Sequence, residues 1–365
     1  MIKTNGFCEI CGILLLKENK KMAKNSGKTQ KFWTGFTGKR QLRIRDLLKN
    51  AFSFHENAEY ASIFQINHQD QKKVSDGLSV DTPKPWIYLR VFFFMVFLSL
   101  LVYISTFFLT LATFPFLTLL FASIIPVSSI VFLIEFNKNE TIPPLFLVII
   151  FFLGSTLSFL LAIPEIINLT QQSVGVQLIV ISVVEEVAKV VPILLFIAMI
   201  KPKRIASGIL IGFVVGAGFQ IFETMGYSIL GGYIGVFSTG VLSFQIMWSR
   251  LLTSLTTHAV FGAIEGGAIM LCARGSTRYF KSLLRARFWC WFILVIVIHY
   301  LWNGIALTLS GLGLQIILLI ILAFITFYLL LVMFDASIKD SILANEESLA
   351  KMQENIPQEP IIEIK

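Results

Sequence analysis

Eight apolar runs of about twenty residues or more fill most of the chain between residues 91 and 334. At 1.5 Å of rise per residue, such a run crosses the roughly 30 Å hydrocarbon core of a bilayer. In lipid, backbone polar groups must be satisfied within the segment, so each run is expected to be a helix. The expected fold is an all-α polytopic membrane protein with spans near 91–113, 115–135, 144–164, 174–200, 205–230, 242–272, 288–309 and 312–334. Pro115, Pro143–Pro144, Pro164, Pro202, Gly231–Gly232, and Gly311 with Gly313 mark the breaks. Pro126 and Pro192 lie inside spans, where they are expected to kink the helix. Composition agrees: 56% of residues are hydrophobic and 14% charged, against about 25% charged in soluble domains.

The sequence divides into a polar, lysine-rich tail over 1–85, a membrane domain over 86–334 and an acidic tail over 335–365, read as a short helix followed by a disordered end. Residues 1–90 carry 16 Lys and Arg against 8 Asp and Glu, so the formal excess of +8 lies there. A basic tail without aromatic-interleaved motifs suits anionic lipid headgroups rather than nucleic acid. No signal peptide is evident, since the apolar stretch Ile13–Leu16 is too short. Lys201, Lys203 and Arg204 share one connection, and Arg274, Arg278, Lys281, Arg285 and Arg287 another; the alternate loops 164–173, 231–241 and 310–313 have no Lys or Arg. The positive-inside rule then places both termini in the cytoplasm, and the cell (plasma) membrane is the expected location.

Within this apolar frame, Glu185 and Glu186 sit mid-run in 174–200. A charged carboxylate at the bilayer centre costs roughly 3 kcal/mol, so the pair marks a functional site. Counted from the inner span ends, Glu185, Glu223, His258, His299 and Asn303 fall at similar depth on four helices. Lys189 lies four residues from Glu185 and three from Glu186, so either carboxylate can be its ion-pair partner. Gln220, Glu223 and Tyr227 form one stripe beyond a glycine ladder at Gly208, Gly212 and Gly216, which permits close helix contact. Arg250, Ser254, His258, Gly262 and Glu265 form another polar face; Arg250 and Glu265, nearer its ends, are expected to be structural. Spans one to three are expected to hold no buried ionisable residue.

Carboxylates and imidazoles at one depth can activate water against a carbonyl, as general bases or by holding a divalent metal such as zinc. The Asn303 amide can donate to a developing oxyanion. Gly-x-Ser-x-Gly, Walker-type and His-Glu-x-x-His motifs are lacking, and no Asp occurs between Asp81 and Asp335, which excludes an intramembrane aspartyl protease.

Glu185-Glu186-Val187-Ala188-Lys189, then Gly218-Phe219-Gln220-Ile221-Phe222-Glu223, then an isolated His258, resemble the PrsW family of membrane-embedded proteases. That family is similar to the CAAX-prenyl-protease and bacteriocin-processing group, whose last motif, His-x-x-x-Asn, is matched by His299-Tyr300-Leu301-Trp302-Asn303. The resemblance covers about residues 170–310. It implies an eight-helix intramembrane endopeptidase of glutamic or metallo type, acting on a membrane-anchored protein or peptide such as an anti-sigma factor. Glu185 and Glu186 would be the catalytic carboxylates, Glu223 would hold the second-motif position, and His258 and His299 would supply the imidazoles beside Asn303. Glu223, His258 and His299 are the expected ligands should a metal be bound; Glu223 stands where the related group has His.

Two other readings compete. A proton- or ion-coupled transporter would carry two related halves, whereas the ionisable residues here cluster in spans four to seven. An inactive scaffold of the same fold is opposed by the complete Glu185, His258, His299 and Asn303 set. Cys8 and Cys11 form half of a zinc ribbon without a second half, and a reduced, inert pair is the expectation. His55 and His68 do not supply finger spacing. Cys272 and Cys290 are expected to pack at the membrane edge, and Asn168-Leu169-Thr170 is a sequon on the expected outer side.

Overall fold

The computed structural model describes residues 51–53, 55, 85–109, 113–137, 142–168, 172–234, 241–273, 277–308 and 312–354, all within one compact unit over 49–365. Cys8, Cys11, His68 and most of the basic tail lie outside them, as do Leu169 and Thr170 of the sequon. Among the described residues the fold is all-α. Its helices are α1 Ile87–Leu109, α2 Phe114–Phe136, α3 Pro144–Ile149, α4 Ser155–Asn168, α5 Val174–Ile200, α6 Ile205–Ile234, α7 Val241–Thr253, α8 His258–Ala273, α9 Ala286–Thr308 and α10 Leu312–Glu354. A π-turn, Ile150–Gly154, joins α3 to α4, and a 3₁₀ turn, Tyr279–Leu284, precedes α9.

Among the described residues, seven candidate spans are long and apolar enough to cross a membrane: α1, α2, the α3–α4 unit, α6, the α7–α8 unit, α9 and α10. α5, at 27 residues, has the length of a span as well. What separates it from the seven is the charge of Glu185, Glu186 and Lys189.

Several expected breaks are displaced. α4 runs through Pro164 to Asn168 and α6 through Gly231–Gly232 to Ile234, because a few proline or glycine residues near a helix end do not outweigh the remaining backbone bonds. α10 continues 20 residues past 334 as one 43-residue helix, where a short separate helix was expected. Its extension is tied down: Asp340 Oδ2 accepts the Ile205 N–H at 3.1 Å, capping α6. Pro126 and Pro192 sit inside α2 and α5 as expected. α5 ends at Lys201, in left-handed conformation, with Pro202 preventing continuation.

Glu135 corrects the expectation that the first three spans bury no ionisable group. It is buried near the end of α2 and accepts the backbone N–H groups of Trp86, Ile87 and Tyr88 at 2.8, 3.0 and 3.1 Å. Three donors at the start of α1 have no intrahelical acceptor, and the carboxylate serves all three. Nearby, His55 stacks on Trp86 at 3.6 Å and Arg90 covers the same ring.

α6 is the buried centre of the bundle. It packs on α8 through the glycine ladder, which α8 answers with Gly262 and Gly266. A Cβ on Gly212 would strike the Gly262 backbone, one on Gly266 that of Gly208, and one on Gly216 that of His258. Backbone therefore rests on backbone, and His258 is delivered beside α6.

Candidate functional site

The sixth expected span is broken. α7 stops at Thr253, the chain turns through Ser254–Thr257, and α8 starts at His258. Non-helical backbone at this depth needs internal partners. Gln220 supplies them: its Oε1 accepts the Thr257 hydroxyl at 3.0 Å and the Ala259 N–H at 3.2 Å. The Phe219-Gln220 pair of the second motif thus has separate duties. Gln220 caps α8, and Phe219 lays its ring 5.2 Å from that of His258.

On α5 the buried stripe runs through Ser182, Glu186, Lys189, Ile193 and Ile197, the spacing of one helix face. Glu186 therefore points into the bundle, and Glu185, about 100° away, sits at its edge with 15% exposure. Lys189 Nζ pairs with Glu186 Oε2 at 2.7 Å, both side chains fully buried. Of the two partners open to Lys189 by spacing, the inward one is engaged. Phe219 and Phe261 flank the ammonium at 5.6 and 5.4 Å, adding cation–π attraction where water is excluded.

Both histidines are gripped by a carboxylate on one nitrogen and turn the other toward Glu185. His299 Nδ1 lies 2.6 Å from Glu186 Oε1 and, facing an acceptor, is its donor; Nε2 stands 3.6 Å from Glu185 Oε2. His258 is reversed: Nε2 donates to Glu223 Oε2 at 3.0 Å, and Nδ1 faces Glu185 Oε2 at 4.0 Å. Lys189 Nζ is 3.2 Å from that Nδ1. The imidazole rings are near perpendicular, 5.0 Å apart. Arg250 holds Glu223 from behind, Nη1 donating to Oε2 at 2.7 Å and Nη2 to Oε1 at 3.0 Å, and covers the Tyr227 ring at 4.6 Å.

The structure brings Glu185, Glu186, Glu223, His258, His299 and Lys189 into one cluster. Asn303 is half-buried one turn beyond His299 and has no hydrogen bond to the cluster among the described residues. Glu185, His258 and His299 each offer one atom within 4.8 Å of the others, a group able to hold a metal. This differs from the expected ligand set, because Glu223 has both oxygens engaged by Arg250 and His258. Zinc sites have ligands about 2.0–2.2 Å from the ion, hence roughly 3.4 Å apart in a tetrahedron. The separations of 3.6 and 4.0 Å to Glu185, with all three atoms within 4.8 Å of one another, would close by up to about 1.4 Å around an ion. Two imidazoles and a carboxylate suit zinc chemically, and carboxylates on the remote imidazole nitrogens are the usual outer partners of metal-binding histidines. The donor set suits a divalent metal, and His258 Nδ1, which accepts from the Lys189 ammonium at 3.2 Å in this structure, would have to exchange that bond for the ion.

Arg250, expected to be structural, is the bidentate partner of Glu223; Glu265, expected to be structural as well, is almost wholly buried with no hydrogen-bond donor on either oxygen among the described residues. Their common polar face with His258 was the available signal. Closeness to the span ends, the ground for expecting a structural role, is no guide where the span is broken.

A family model described as PrsW family intramembrane metalloprotease matches residues 142–332. No curated protein and no solved structure matches the chain.

Proposed function

The chain belongs to the PrsW family of intramembrane metalloproteases, and from that premise we propose that it hydrolyses a peptide bond of a membrane-anchored protein at the Glu185–His258–His299 cluster. The observation that carries this reading is the convergence of two carboxylate-gripped imidazoles on Glu185, each presenting its other nitrogen. A satisfied structural network has no need to aim two imidazole nitrogens at one carboxylate deep in lipid.

Glu185 faces both imidazoles and remains partly accessible, so it takes the proton of the attacking water. Glu186 and Glu223 fix ring orientation and tautomer, which keeps His299 Nε2 and His258 Nδ1 as acceptors toward the reacting centre. Lys189 balances the charge of Glu186. Asn303 extends its amide one turn past His299, suited to a developing oxyanion. Lewis acidity at the scissile carbonyl is what a divalent metal such as zinc would supply if held by Glu185, His258 and His299, Glu185 then serving as a ligand in place of the base. The substrate class is a single-span protein or peptide, an anti-sigma factor being the regulatory example the family resemblance implies. Both termini and the basic tail then lie against the anionic inner face of the cell membrane.

The test is cleavage of a single-span substrate co-reconstituted in liposomes, with the cut mapped by mass spectrometry. Glu185→Ala and His299→Ala are expected to insert normally and cleave nothing. A chelator should stop the wild type, and zinc should restore it. Cleavage undiminished by chelation identifies a glutamic mechanism; full cleavage by both variants contradicts the reading.

A further inference from the structure

The connection from α8 to α9 carries a patch that the catalytic cluster does not use. In its 3₁₀ turn, Tyr279–Leu284, the residues Tyr279 and Ser282 are buried; three apart, they share one face. Away from that face, Phe280 is 56% exposed and Leu284 84%. Trp289, 47% exposed, reaches back from α9 and donates its indole N–H to the Leu283 carbonyl at 2.7 Å. Arg278, Lys281 and Arg285 are exposed among these apolar side chains. The turn is fastened to the bundle, because the Tyr279 hydroxyl donates to the Pro202 carbonyl at 2.8 Å, in the connection from α5 to α6. Exposed Lys201 and Lys203 flank that proline, so two basic connections meet at one end of the fold. Lys201, Lys281 and Arg285 pair with no carboxylate among the described residues.

Water suits the cations of this turn but not Phe280, Leu284 and Trp289; hydrocarbon suits the reverse. A short element that exposes both belongs at the boundary, where acyl chains meet headgroups. The sign of the charge selects an anionic headgroup, and guanidinium and ammonium groups are both phosphate donors. The Tyr279 anchor adds what a loose basic loop lacks, since it holds these groups at a fixed spacing against the bundle. We propose that the turn is a binding site for one anionic phospholipid. Arg278, Lys281 and Arg285 hold its phosphate, and an acyl chain lies on Phe280, Leu284 and Trp289. The site belongs to the folded part of the chain, apart from the basic tail, and stands whether or not the protein is a protease.

Full-length protein in detergent is titrated with phosphatidylglycerol or with phosphatidylcholine of identical chains, and bound lipids are counted by native mass spectrometry. Wild type is expected to bind one phosphatidylglycerol about tenfold or more tighter than phosphatidylcholine. Replacing Lys281 and Arg285 together by Gln should weaken phosphatidylglycerol about 30-fold, roughly fivefold for each charge removed. Leu284→Gln keeps every charge and removes part of the acyl-chain contact, and should lose about fivefold. Because Leu284 is so exposed, that change does not threaten folding. Tyr279→Phe keeps every charge and every apolar group but frees the turn, and should lose affinity as well. Lys339→Gln is the control: Lys339 precedes the Asp340 that caps α6, is already paired with Asp335 at 2.6 Å, and should stay within about twofold. Equal affinity for the two lipids, or wild-type affinity in the double variant, overturns the proposal. Wild-type affinity in Leu284→Gln or in Tyr279→Phe also overturns it, by reducing the patch to diffuse charge. So does displacement of the lipid by millimolar inorganic phosphate, which assigns the cations to a free anion, or a dimer lost in Leu284→Gln, which assigns the patch to a second copy of the chain.

Discussion

Gly212→Ala adds one methyl group against Gly262, one turn of α8 from His258, and the account assigns it a large effect. A Cβ there stands 2.7 Å from the Gly262 carbonyl carbon and 3.2 Å from the Gly266 Cα. Carbon atoms settle at about 3.5–4.0 Å, so α6 and α8 must part by roughly 1 Å. No flexible side chain can give way, because both contacts are backbone. His258 lies one turn before Gly262 on α8, and its 3.0 Å bond to Glu223 on α6 spans the same gap. Lengthened by that amount, the contact ceases to be a hydrogen bond. A 1 Å misplacement of catalytic groups costs about 100-fold in rate, or roughly 2.7 kcal/mol of barrier. Alanine is the better helix former by about 1 kcal/mol, so a loss cannot be assigned to weakened helicity. Gly226→Ala is the control on the same helix, since nothing lies within 4 Å of its Cβ. The assay is the initial rate on a single-span substrate in liposomes, at equal inserted protein. Gly212→Ala cleaving within about twofold of Gly226→Ala would refute the argument that the ladder sets the distance between Glu223 and His258.

Three further outcomes follow from the same geometry. Arg250→Ala releases Glu223 from its bidentate clamp and should cost about 10- to 100-fold in kcat; Arg250→Lys should rescue little, since an ammonium cannot replace the fork. Gln220→Leu removes two hydrogen bonds at the start of α8, each worth about 1 kcal/mol, and should lower the midpoint of thermal unfolding in detergent together with cleavage. Glu135→Leu strands three N–H groups at the start of α1, those of Trp86, Ile87 and Tyr88, and should destabilise by about 3 kcal/mol, read by thermal unfolding, with unchanged kcat per folded molecule because Glu135 lies outside the catalytic cluster.

Much of this arrangement could be read in advance. Apolar length gave the spans, since lipid forces helices wherever about twenty apolar residues run together. The cost of charge in lipid singled out Glu185, Glu186, His258 and His299, and equal depth on separate helices brought them together. The break before His258 was hidden, because Ser254, Thr256 and Thr257 are compatible with a helix and only the capping by Gln220, 37 residues earlier, makes the interruption stable. The choice between Glu185 and Glu186 for Lys189 was hidden too. Both spacings are permitted on a helix, and the rotation of α5 against α6, α8 and α9 decides. Glu135 escaped because its partners are backbone donors of another helix, which leave no mark in residue identity. The end of α10 departs from the expected short helix for the related reason that Asp340 finds its partner only at the start of α6.

The most direct test is the cleavage rate of the Glu185→Ala variant, inserted and folded as the wild type, on a single-span substrate that the wild type cuts. The account predicts no detectable product at any enzyme concentration. Product formed at the wild-type rate would contradict it, since the carboxylate on which both imidazoles converge would then have no part in the reaction.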